Sequence, residues 1–252
     1  MPVRPTDEQT RFCKRRLVCR WSEPGEPLPL RKIQPLSPLQ PCPVWKAPPP
    51  WLVTGPAGQS FDFCSHVRRL CLDIAARCEA LRHLDVARLL FAVTQARNGC
   101  ARGLQARVTP LRFAGGRLTR ERRGVTYQVQ RYFLGNHEFL YLVTFCLPRF
   151  LDQSFDDKLI TLFHELYHVS PAFDGDLRRH KGRYAIHSHS QRDYDEHMSH
   201  LARAYLAGNP DPALLAFLRL DFAQLLARHG SVVGVVVPRP KVIPVERMKA
   251  EG

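Results

Sequence analysis

The sequence predicts an α+β fold, and three observations predict it. Val67, Leu70, Cys71, Ile74, Ala75 and Cys78 recur at i, i+3, i+4 and i+7, the spacing of one helix face. Between 104 and 146, apolar runs of strand length alternate with the turn-forming pairs Gly115-Gly116 and Gly135-Asn136. A second strong helical pattern then starts at Ser154 and carries His164-Glu165-Leu166-Tyr167-His168 near its end.

Taken in order, residues 1–60 hold 13 of the 21 prolines and a basic run of Arg11, Lys14, Arg15, Arg16 and Arg20. Proline removes backbone donors and blocks helices, so this stretch is expected to be a disordered tail. Residues 61–97 read as N-terminal helices, the second from about Asp85 to Arg97 on Val86, Leu89, Leu90 and Val93. Residues 104–146 read as a three-stranded, mainly antiparallel sheet: Leu104–Phe113, the alternating Val125, Tyr127 and Val129, and the continuous apolar run Phe139–Cys146. Ser154 and Asp157 form an S-x-x-D cap for a helix over about 155–169, which Pro171 closes. A loop over 172–190, helices over 191–207 and 212–228, a strand over 232–238 and a tail over 239–252 complete the reading. The organisation predicted is a tail (1–60), a domain that carries the His164–His168 pentapeptide (61–207) and a C-terminal helix, strand and tail (208–252).

The composition narrows the class. No apolar run reaches the length of a membrane span, and the first twenty residues lack the apolar core of a signal peptide, so a cytoplasmic protein with no membrane contact is expected. The eight cysteines include no C-x-x-C pair, and Cys64, Cys71 and Cys78 share one helix face; they read as small buried apolar groups. The net charge of +14 lies entirely in residues 1–150, and all fifteen basic residues of 61–150 are arginine. Arginine forks suit phosphates, so nucleic acid is a candidate partner of residues 1–150, the alternative being an arginine-biased solvated surface.

The pentapeptide fits the pattern His-Glu-x-x-His. Residues four apart on a helix share a face, so both imidazoles can reach one metal ion, with the glutamate beside them to take a proton from metal-bound water. Random placement of 11 histidines and 10 glutamates yields the pattern about once in fifty such chains, so its position on a capped helix following a sheet is what gives it weight. A catalytic zinc usually takes three protein ligands and a water. Downstream candidates for the third are Asp174, His180, His187, His189 and Glu196. Asp174, Asp176 and Asp195 are candidates to accept the outer N–H of a ligating histidine. Arg183, Tyr184, His187 and His189 are candidates to stabilise an oxyanion.

With His180 followed by Gly182, the order of helix, sheet, motif helix and histidine-bearing loop resembles SprT-like (Spartan-type) metallopeptidases, and His164–His180 also resembles a phage metallopeptidase domain. The resemblance covers roughly residues 61–205 and is sharp only over 159–189. It implies a zincin-like fold with C-terminal helices after the active-site helix, and a zinc metallopeptidase acting on a protein or peptide substrate. His164, His168 and His180 would then be the Zn2+ ligands and Glu165 the general base. The alternative expectation is a nucleic-acid-associated metal-binding protein with a structural or silent metal site.

Overall fold

A computed structural model describes residues 20–23, 25–38, 49–50, 52–98, 103–179 and 191–247. The fold is α+β, with five α-helices and several small sheets among the described residues. Helix α1 (Phe63–Arg77) starts where the Asp62 side chain accepts the Ser65 N–H. It buries Cys64, Val67, Leu70, Cys71 and Ile74, the face the heptad of cysteines marked. Burial pushes the Cys64 thiol up to about 12, as suits an inert core residue.

The second predicted N-terminal helix does not form. Residues 79–81 and 86–88 make single 3-10 turns, and Leu89–Gln95 is a strand, β3. Its first five residues are all buried. A strand covered on both faces carries no alternation, and its unbroken apolar run imitates a buried helix. Strand β3 pairs in parallel with Tyr141–Leu147, and Ala106–Pro110 pairs antiparallel on the other side of that same strand. In chain order, with β1 (Leu30–Lys32) and β2 (Phe61–Asp62) before them, these are β3, β4 (Ala106–Pro110) and β9 (Tyr141–Leu147), in the sheet order β3-β9-β4. The sheet is therefore mixed rather than mainly antiparallel.

The strand predicted around Tyr127 belongs elsewhere. It is β6 (Val125–Val129), flanked by β5 (Thr119–Arg122) and by β11 (Val242–Arg247) from the stretch expected to be a tail. Gly135-Asn136 does close a hairpin, between β7 (Tyr132–Leu134) and β8 (His137–Phe139). The proline-rich stretch likewise gives more than a tail: β1 pairs with β10 (Val232–Val235), and Ile33 and Leu52 are buried in the core. Proline is compatible with such edge positions, as Pro244 in β11 also shows.

Four helices follow the sheet: α2 (Phe155–Tyr167), α3 (Gln191–Ala207), α4 (Pro212–Leu215) and α5 (Phe222–His229). The single helix expected over 212–228 is broken by a 3-10 turn at 216–219. The carbonyls of Leu218 and Leu220 accept hydrogen bonds from the buried Lys158 Nζ of α2, at 3.0 and 2.7 Å, instead of continuing a helix. No helix among the described residues is long and apolar enough to cross a membrane.

Candidate functional site

Helix α2 fixes the site through its ends and its buried stripe. The Ser154 hydroxyl accepts the Asp157 N–H at 3.1 Å, and Asp156 and Asp157 place negative charge in the first turn. Leu159, Leu162, Phe163 and Leu166 are buried, as the 3.6-residue period requires. That leaves His164 and His168 one turn apart on another sector, with their Nε2 atoms 3.0 Å from one another.

Helix α2 stops at Tyr167, with His168 as its C-cap. The chain then reverses through Phe173 (φ +49) and Gly175 (φ +88) and runs back antiparallel, pairing Val169 with Leu177. Gly175 has no room for a side chain, because a Cβ there would lie 2.5 Å from Arg112 Cγ. The Tyr141 hydroxyl accepts the Gly175 N–H and donates to the Asp176 carbonyl. The Arg178 N–H reaches the His168 carbonyl at 2.7 Å, and the Arg178 guanidinium lies 3.9 Å over the Tyr167 ring.

Glu165 lies inside, 8% exposed, where its Oε2 accepts the Val108 N–H of β4 at 2.6 Å. Strand β4 is an edge strand, and this N–H turns away from β9 toward the helix. Burial pushes the Glu165 carboxyl up to about 7, against the opposing pull of the Val108 N–H and the Arg107 charge. A carboxylate poised near neutrality is suited to proton exchange.

The remaining predicted residues separate into three groups. Asp195 does come close: its Oδ1 lies 3.9 Å from His164 Nδ1. Asp174, Asp176 and Glu196 do not join the pair. Asp174 Oδ1 accepts the Asp176 N–H in a turn, and its Cβ packs against Gly116. Asp176 grips the Gly115 and Leu177 N–H groups and the Arg179 guanidinium. Burial pushes the Asp176 carboxyl up, but these donors hold it below the usual carboxylate range. Glu196 is exposed on α3. His180, Arg183, Tyr184, His187 and His189 lie outside the described residues. Among the described residues no group of three or more His, Cys, Asp or Glu is arranged to hold a metal ion.

Tyr194 is the site residue that sequence reasoning missed. Its ring stacks on His168 at 21° and meets His164 edge-on at 4.8 Å. The available signal was the stripe Tyr194, Met198, Ala202 and Tyr205, all buried along α3. It reads as core packing until the partner helix is known.

No protein-family model matches the chain, and neither the curated proteins nor the solved structures contain a significant match to it.

Proposed function

We propose that this protein is a zinc-dependent metallopeptidase in which His164 and His168 hold the ion and Glu165 is the general base. The observation that carries the proposal is the convergence of the two Nε2 atoms at 3.0 Å on a helix that also bears, one residue after His164, a buried carboxyl raised to about 7. Two imidazoles are donors of the type that zinc prefers. The inner nitrogens face one another, while the outer ones face Tyr194 Oη and Asp195 Oδ1, an arrangement of the kind that orients histidine ligands of a borderline-soft cation. The third ligand of the proposal is His180, two residues after the Arg178 that is bonded to the His168 carbonyl. When bound, zinc supplies Lewis-acid polarisation of the scissile carbonyl and lowers the pKa of its water. Glu165 accepts a proton from the attacking water and returns it to the leaving amine. The Val108 N–H holds the Glu165 carboxylate in place, and burial sets its proton affinity.

The test joins metal content to turnover. Elemental analysis should give one zinc per wild-type chain and per Glu165→Gln chain, and a loss of zinc in His164→Ala, His168→Ala and His180→Ala. Wild type should cleave an unfolded protein, and Glu165→Gln should not. Cleavage by Glu165→Gln at the wild-type rate overturns the mechanism.

A contact with nucleic acid is a second part of the reading, favoured by the β5–β6 hairpin. Arg117, Arg120, Arg122 and Arg123 are exposed there, and among the described residues none of them sits in an ion pair. Arg123 occupies the left-handed region (φ +54) beside Gly124 at the hairpin tip, which sets a guanidinium where asparagine or glycine is the usual choice. Binding to DNA or RNA should weaken with salt, and each arginine neutralised should reduce the log–log salt slope by about 1. No binding at low salt refutes this part.

A further inference from the structure

The inner nitrogens of the two histidines account for a metal; the outer ones are addressed by consecutive residues of α3. Tyr194 Oη lies 3.5 Å from His168 Nδ1, and Asp195 Oδ1 lies 3.9 Å from His164 Nδ1. Asp195 is half exposed, so water screens its hold. Tyr194 is only 4% exposed and touches both imidazoles. Its own place is rigid. Tyr167 flanks its ring at 5.9 Å, and one helical face carries Tyr194 together with Met198, Ala202 and Tyr205, all buried, with Tyr205 reaching Phe163 of α2.

We infer that Tyr194 is a positioning residue for the histidine pair: its ring fixes the plane of the His168 imidazole, and its hydroxyl oxygen accepts the Nδ1–H. The inference rests on the metal reading above. A near-parallel ring at 21° obstructs rotation of the imidazole about its Cβ–Cγ bond, the motion that would carry Nε2 away from His164. A hydrogen on Nδ1 leaves Nε2 as the nitrogen with the lone pair, which is the one that faces His164 Nε2. In the metal-free protein the same tautomer lets His168 Nε2 accept a proton-bearing His164 Nε2, in keeping with the 3.0 Å separation. A leucine would fill the same helix stripe and supply neither effect. An aromatic hydroxyl at this position is therefore more than packing demands.

The test uses the full chain as wild type, Tyr194→Phe and Tyr194→Leu. Zinc affinity is read by competition with a chromophoric chelator, and the His168 tautomer by 15N–1H NMR of the metal-free protein at pH 8. Tyr194→Phe keeps the ring and should lose about 10-fold in affinity, and Tyr194→Leu up to about 100-fold, the range typical of removing a group that orients a metal ligand. The metal-free melting temperature of Tyr194→Phe should stay at the wild-type value, because its ring packing is intact. His168 should carry its proton on Nδ1 in wild type and lose that preference in Tyr194→Phe. Wild-type zinc affinity and an unchanged tautomer in Tyr194→Phe overturn the inference. Should wild type bind no zinc, the metal reading falls, and the tautomer comparison still decides whether Tyr194 sets His168.

Discussion

Replacing Lys158 by methionine should remove a contribution to stability that grows as pH rises above 8. The Lys158 side chain is 2% exposed and ends on the carbonyls of Leu218 and Leu220. Burial lowers its pKa from the usual 10.5 to about 8, with Asp221 and Asp152 pulling the other way. Each pKa unit corresponds to about 1.4 kcal/mol, so the native state disfavours the charged lysine by up to about 3 kcal/mol. The sign follows from proton counting. Below pH 8 both the native and the unfolded chain hold the proton, and the contribution is flat. Between 8 and 10.5 the unfolded chain holds a proton on Lys158 that the native chain has released, so the contribution of this group rises with pH. At pH 7 the methionine variant gains the relieved desolvation and loses the donors to two carbonyls, each about 1–3 kcal/mol, so it should sit near wild type. By pH 10 it should be less stable than wild type by about 2–3 kcal/mol. The assay is urea unfolding followed by far-UV circular dichroism from pH 7 to 10, with a chelator present in both samples. Burial raises Tyr141, Tyr194, Tyr205, Cys64 and Cys71, so their contributions to stability fall as pH rises and oppose that of Lys158. Both proteins carry them, so the difference between the two curves isolates Lys158. A difference that stays constant within about 0.5 kcal/mol across this range refutes the reasoning.

Other expectations are simpler to read. Gly175→Ala should destabilise by roughly 2–4 kcal/mol in thermal unfolding, since it combines a left-handed backbone with a 2.5 Å approach to Arg112. Ser154→Ala should cost about 1 kcal/mol by removing the cap of α2, and Ser154→Asp should restore most of it. Leu162→Ala, at a position with no exposed surface, should cost about 2–5 kcal/mol by urea titration. In metal-free protein, Glu165 keeps its proton up to about pH 7 in the native state and loses it earlier when unfolded, so its contribution to stability should decline as pH rises from 4.5 to 7. Glu165→Gln should lack that decline; an identical slope in both proteins refutes the raised pKa.

The legible parts of this fold were those written in local periods. Helix α2 shows its cap, its 3.6-residue stripe and its breaker within eighteen residues, Ser154 to Pro171, so local spacing alone puts His164 and His168 on one face. Strand β3 was illegible because burial on both faces erases the period that would distinguish strand from helix. The sheet that β6 joins was illegible because its partner β11 lies more than a hundred residues downstream. The break near residue 216 needed knowledge of where Lys158 ends. At the site, spacing identified the motif but not its surroundings. The Val108 N–H on Glu165 and the Tyr194 ring on His168 each come from another element, and no local pattern announces them.

Strand β10 has a temporal consequence. It lies between β1 and β2, pairing Val235 with Leu30 and Val232 with Phe61, and its Gly234 packs so closely on Val93 of β3 that a Cβ would lie 2.6 Å away. During synthesis at about 5–20 residues per second, the ribosome needs about 10–30 s to pass from β2 to β10. Throughout that interval the partners of β10 have left the exit tunnel with an unpaired edge and an uncovered apolar face on α1. The nascent chain therefore depends on Val232–Val235 to cover β1, β2 and α1, and chaperone demand should be greatest before residue 235 emerges.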